Sequence, residues 1–176
     1  MPGATVWITG LPAAGKSTTA SATAELLKSR SIDVIVLDGD ELRAAMPTKL
    51  GFSREDRAAA VQSAGALALH HAKEGRVAVT ALVSPYQADR DSVRARHSAA
   101  RLIFVEVHMD TPVETCIERD PKDLYKKALA GEISHMTGID DPFEAPEHPE
   151  LRFTPSLSPE QDALLILEEL ERLGAI

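Results

Sequence analysis

The chain has 176 residues, enough for one core, and a domain of this size buries about 70% of the surface that its unfolded chain exposes. Its 27 acidic residues outweigh 19 basic ones, and the net charge of −8 argues against a nucleic-acid partner and leaves no polybasic patch for a membrane surface. A single cysteine, Cys116, excludes an intramolecular disulfide and fits a reducing cytoplasm.

The first apolar run, Thr5 to Thr9, is too short for a membrane span and lacks the basic start of a secretory leader. It reads as a buried strand and leads directly into GLPAAGKST. Gly10, four residues, then Gly15, Lys16 and Ser17 is the spacing of a nucleotide-binding P-loop, a pattern met by chance in such a chain less than about once in a hundred. The following STTASATAELLKS reads as the helix that such a loop requires. Glycines let backbone N–H groups converge on phosphate oxygens, Lys16 adds a point charge for the β and γ phosphates, and Ser17 offers a hydroxyl to Mg²⁺. Gly10, Leu11, Pro12, Ala13, Ala14, Gly15, Lys16, Ser17 and Thr18 are therefore expected to hold ATP or GTP.

Further strands are predicted at Ile32–Leu37, Val77–Val83 and Leu102–Val107, each a short β-branched run ending in polar residues. Ser53–Glu74 reads as a helix opened by a capping box, with Val61, Ala64, Ala68 and Ala72 on one face. Thr111-Pro112-Val113-Glu114 and Ser158-Pro159-Glu160-Gln161 each predict a hydroxyl N-cap with proline at the first helical position. This alternation implies an α/β fold of the P-loop type: a parallel sheet, helices on both faces, and a site at the carboxyl ends of the strands. From Asp120 to Pro155 only Leu124–Ala130 looks helical, and such a long irregular stretch suits a lid. The expected organisation is a single kinase domain over residues 1–176 with a lid near 119–150.

The second strand ends in LDGDELR, which puts Asp38 and Asp40 where the sheet opens and Arg43 one turn beyond. One carboxylate can orient Mg²⁺ while the other accepts a proton from an attacking hydroxyl; Asp38 suits the metal and Asp40 the base, although sequence alone allows the reverse. The alternative is a turn followed by an Asp N-cap. Phe52 and Arg57, in LGFSREDR, offer a ring for a base and a fork for phosphate or sulfate, although a ring there also suits a hydrophobic staple. Ser84 and Pro85 form a tight turn after the third strand. Arg119, Lys122, Lys126 and Lys127 concentrate positive charge on the lid, or on a solvated helix start. Cys116 reads as a packed helical thiol, and the six histidines show no metal-ligand spacing.

GLPAAGKST, LDGDELR, LGFSREDR, VSPY, FVEVHMDTPVETCIERDPKDLYKKALAGEI and TGIDDPFEAPEHPEL, in that order and covering nearly the whole chain, resemble the adenylyl-sulfate kinase family. The resemblance implies transfer of the γ-phosphoryl of ATP, with Mg²⁺, to the 3′-hydroxyl of adenylyl sulfate. It implies Gly10–Thr18 as the ATP site, with Lys16, Asp38, Asp40 and Arg119 in catalysis and Ser17 and Asp38 at the metal. Asp40, Arg43, Phe52, Arg57, Val83, Ser84, Lys122, Met136 and Gly138 are implied on the acceptor side, and a homodimer as the assembly. Ser84 matches a serine that is phosphorylated in some members.

The chain also departs from the family pattern. Ala60 stands where an asparagine is usual, Gln62 and Ser63 replace a basic pair, and Gln87, Asp123, Ser134 and Met136 replace an arginine, a glycine, a basic residue and an aromatic. Losing one face of base stacking costs about 1–3 kcal/mol, of which a polarizable methionine recovers part. These changes cluster on the acceptor side, so the expectation divides between a loosened adenylyl-sulfate site and a related kinase for another small acceptor. A non-catalytic ATP-binding regulator is the third reading, disfavoured by Lys16, Ser17, Asp38, Asp40 and Arg43 standing together. In the P-loop, Ala13 and Ala14 replace residues that act through backbone N–H, so ATP binding is expected to survive.

Overall fold

The computed structural model describes residues 3–176. Strand β1 (Ala4–Gly10) lies at the centre of a five-stranded parallel sheet and is buried along its whole length. Helix α1 (Lys16–Ser29) follows the P-loop, then β2 (Val34–Asp38), α2 (Gly39–Ala45), α3 (Arg54–Lys73) and β3 (Val77–Ala81). The chain continues through α4 (Gln87–Ala99), β4 (Ile103–Met109), α5 (Val113–Arg119), α6 (Leu124–Leu129), β5 (Leu151–Phe153) and α7 (Pro159–Arg172). The strand order is β2-β3-β1-β4-β5, so β1 sits between β3 and β4 and the P-loop emerges at mid-sheet. No described helix is long and apolar enough to cross a membrane.

Alternation along β1 builds two cores. Val6 and Ile8 join Leu27 of α1 and Ile166 and Leu170 of α7 on one face, while Trp7 packs with Val61, Val93 and Phe104 on the other. Helix α3 carries its predicted face inward: Val61, Ala64, Ala68 and Ala72 are all buried. Small residues there let α4 approach closely, and Gly65 is the tightest point, since a Cβ at that position would lie 2.6 Å from Cγ2 of Val93.

The predicted caps divide. Ser158 completes its box with Gln161, each side chain satisfying the other's backbone N–H. Ser53 accepts from the Asp56 N–H, but Asp56 turns its carboxylate to the Gly51 N–H, so the reciprocal half of that box is missing. Thr111 does not cap α5: Pro112 holds the N-cap position, and the Thr111 hydroxyl donates instead to the Ala14 carbonyl in the P-loop. The first helix starts at Lys16, one residue before the predicted Ser17, and the predicted strand ends shift by up to two residues. Helix α2, foreshadowed only by the Asp N-cap reading, is a two-turn piece with no buried residue, and β5, a three-residue edge strand inside the stretch read as irregular, was not anticipated.

Gly65→Val forces two methyl groups into the α3–α4 contact and is expected to cost about 1–3 kcal/mol of stability. Chemical denaturation measures it, and an unchanged midpoint would refute the close approach.

Candidate functional site

Gly15 carries the turn into α1 with φ of 102°, in the left-handed region, and α1 opens without a side-chain cap. The first-turn N–H groups of a helix have no intrahelical partner, so this end is ready for an anion. Three side chains hold the loop from behind. The Tyr125 hydroxyl donates to the Pro12 carbonyl at 2.8 Å, the Thr111 hydroxyl donates to Ala14 at 2.9 Å, and Lys16 Nζ donates to the carbonyls of Gly10 and Leu11 at 3.0 and 2.7 Å. Burial pulls the Lys16 ammonium down to about 8, against the opposing pull of nearby carboxylates.

Asp38 does two jobs at once. It is the N-cap of α2, its Oδ1 accepting from the Asp40 N–H at 2.9 Å, and its Oδ2 accepts from the Ser17 hydroxyl at 2.6 Å. Of the two readings that the sequence offered, a cap or a functional carboxylate, the geometry shows the cap and adds the Ser17 contact through the second oxygen. Asp40 is exposed and ion-pairs with Lys122 of the segment after α5. Ser17 and Asp38 are hard oxygen donors side by side at the mouth of the loop, a set that suits Mg²⁺ only when phosphates and waters complete the shell. No cluster of three or more histidine, cysteine or acidic side chains among the described residues could hold a metal alone.

A cavity of about 1030 Å³ runs from the P-loop across the sheet end. Phe52 stands in its wall with 53% of its surface exposed, and the guanidinium carbons of Arg43 and Arg57 lie 4.9 and 5.4 Å from its ring centroid. Arg57 is buried, donates to the carbonyls of Phe52 and His135 at 3.1 and 2.6 Å, and so ties α3 to the segment carrying Met136. Met136 is buried in the main core and still lines the cavity, as do Ala60, Val83, Ser84, Arg119 and Lys122. The Arg119 guanidinium lies over the P-loop, Nη1 3.5 Å from the Ala13 carbonyl.

Three predicted residues stand behind the wall rather than in it. Gly10 and Leu11 do not line the cavity, because their carbonyls turn to Lys16. Gly138 does not line it either: it packs on Leu11, where a Cβ would meet Cδ2 at 2.9 Å. Ser84 reaches the cavity but is only 3% exposed, its hydroxyl accepting from Trp7 Nε1 and donating to Thr9 Oγ1. A modifying enzyme would have to open this turn to reach it.

Sequence reasoning missed the supports. Arg90, buried beside Glu106, donates to the Ser84 carbonyl at 2.7 Å and to the Glu144 carbonyl at 2.6 Å, joining the cavity wall to the 139–150 segment. Tyr125 and Asp162 were also unpredicted, and Thr111 had been read only as a cap; a polar side chain on a helix or at its start was the one available signal, and it does not say what it touches.

The adenylylsulphate kinase family model matches residues 2–154. The adenylyl-sulfate kinase of Marinobacter nauticus is 46% identical over 153 residues, covering 87% of this chain and 76% of that protein. A probable bifunctional SAT/APS kinase 2 of Sorangium cellulosum is 47% identical over 177 residues, and this chain spans only 30% of its length. The solved structure of the Mycobacterium tuberculosis APS kinase CysC in complex with AMPPNP and APS superposes with a TM-score of 0.94 at 42% identity, covering 97% of this chain and 98% of that one. A P-loop at mid-sheet, facing two carboxylates and a cationic aromatic wall, is thus matched in sequence and in shape: the chain belongs to the adenylylsulphate kinase family.

Proposed function

We infer that this chain transfers the γ-phosphoryl group of ATP to the 3′-hydroxyl of adenylyl sulfate, giving 3′-phosphoadenylyl sulfate and ADP. The observation that carries this reading is the placement of Asp40 between the P-loop and the Arg43, Phe52 and Arg57 wall, in one continuous cavity. Phosphoryl transfer needs little covalent help from a protein, so positioning and charge do most of the work.

The free N–H groups of α1 and the Lys16 ammonium hold the β and γ phosphates of ATP. Ser17 and Asp38 would hold Mg²⁺, whose contribution when bound would be to neutralise charge on the phosphate oxygens. Asp40 accepts the proton of the acceptor hydroxyl, and Lys122 leaves its ion pair for the anionic substrate. Phe52 stacks on the acceptor base, while Arg43 and Arg57 face its phosphate and sulfate. Arg119 places charge over the transferring group, and residues 119–150 close as a lid that excludes water. Met136 offers the base an apolar contact in place of a second ring. The chain works as a single kinase domain in the cytoplasm, consistent with its one buried thiol, and assembles as a homodimer. Light scattering on the purified chain tests the assembly, and a monomer at micromolar concentration would refute it.

A coupled ADP-release assay with Mg²⁺, ATP and adenylyl sulfate tests the reaction. Folded protein that turns over another nucleotide but not adenylyl sulfate would overturn it. Asp40→Asn is expected to lower kcat by about 10²–10⁴ with ATP affinity retained; a change confined to KM would remove Asp40 from proton transfer. The pH dependence has a definite sign. Lys16 is charged below about 8 and neutral above it, so nucleotide affinity falls as pH rises through that value. Phosphate binding restores the charge, and near pH 8.5 ATP binding takes up a proton, visible by calorimetry in buffers of different ionisation enthalpy.

A further inference from the structure

The strand order divides the cavity. Asp38, Asp40 and the turn at Ser84 follow β2 and β3, on one side of β1, whereas Thr154, Pro155 and Leu157 follow β5 at the opposite edge, and all of them line the same cavity. A nucleotide whose phosphates lie on the P-loop and whose γ end points to Asp40 must extend its base toward the β5 edge. That end of the cavity includes Asp162, in the first turns of α7.

Asp162 has an unusual environment. It is 3% exposed, its Oδ2 accepts from the Thr19 hydroxyl at 3.2 Å, and its Oδ1 has no partner. No ion pair among the described residues includes it, and burial raises its carboxyl above the usual range despite the Thr19 bond. Among the described residues two other buried polar side-chain atoms lack partners, Arg96 Nε and Thr137 Oγ1, but neither residue lines the cavity. A buried acceptor left unsatisfied costs free energy that a ligand donor recovers. Adenine carries an exocyclic amine at position 6; hypoxanthine and guanine carry a carbonyl there, which would set one acceptor against another.

We propose that Asp162 reads the base of the donor nucleotide, its Oδ1 accepting the exocyclic amine of adenine and so selecting ATP over inosine and guanosine triphosphates. The proposal rests on the donor-site reading above, and its test is separable from the acceptor question because it needs no adenylyl sulfate. Binding of ADP, IDP and GDP is measured by calorimetry on the wild-type chain, on Asp162→Asn and on Asp162→Ala, with thermal melts to confirm folding. The wild type is expected to favour ADP over IDP by about tenfold or more, the equivalent of one hydrogen bond to a buried partner. Asp162→Ala brings the two within about twofold. Asp162→Asn can keep the Thr19 bond through its amide carbonyl and turn its NH₂ to the base, so it shifts preference toward IDP. Equal wild-type affinities for ADP and IDP, or a ratio unchanged in both variants whatever their melting temperatures, would overturn the assignment. If either variant does not fold, Asp162→Ser supplies the same comparison. Failure to phosphorylate adenylyl sulfate with the ADP preference intact would sink the acceptor reading and leave this one standing.

Discussion

A buried ammonium needs acceptors, and Lys16 finds them in the carbonyls of its own loop. That arrangement constrains everything around the P-loop. Carbonyls turned toward Lys16 set the loop's curvature, and the loop's N–H groups are left to the start of α1. The loop is too short to hold such a shape unaided. Tyr125 and Thr111, at opposite ends of α5 and its continuation, clamp its Pro12 and Ala14 carbonyls from outside. The phosphate site is thereby built from three stretches of chain, with burial lowering the proton affinity of its charged member.

At the other end of the cavity the constraint is reversed. The protein is acidic overall, so cations must be concentrated locally and kept apart from the carboxylates that would neutralise them. Arg43 and Arg57 manage this by giving their hydrogen bonds to backbone carbonyls, Gly51 for one and Phe52 and His135 for the other. Among the described residues no carboxylate is in ion-pair contact with either guanidinium, and both face the Phe52 ring. Arg90 and Arg94 do the opposite: they pair with Glu106 and Glu150 and serve as struts. The arginines thus divide into cavity-facing and structural sets according to whether a carboxylate pairs with them.

This division explains what was legible in the sequence. The parallel sheet, the P-loop and the helix of residues 54–73 follow from local periodicity and spacing, and they stand where those predict. Asp38, Asp40, Arg43 and Arg57 were legible because each sits at a strand or helix end that topology sends to the cavity. Helix α2 was legible only through its Asp N-cap, since it buries nothing and leaves no periodic trace. Strand β5 was hidden by its length, only three residues paired to the end of β4. Gly138 stands behind the cavity wall, which sequence could not tell, because a left-handed glycine beside a cavity and one packed on Leu11 look the same there. Thr111 misled for a related reason: a hydroxyl before proline is a good cap, yet a buried loop carbonyl nearby was a stronger claimant.

The ion pair of Asp40 with Lys122 joins these two ends. Both side chains are more than 60% exposed, and a pair so solvated contributes little to stability. Its weakness suits a site that must be undone at every turnover, because a substrate anion can take Lys122 without breaking a buried bond. The same contact keeps Asp40 at the cavity mouth rather than against Arg43, although attraction to that guanidinium is the largest influence opposing the effect of burial on it. A buried pair at this place would cost several kcal/mol to separate and would hold the carboxylate away from an incoming hydroxyl. Exposure, elsewhere a sign of unimportance, is here what the role proposed for Asp40 requires.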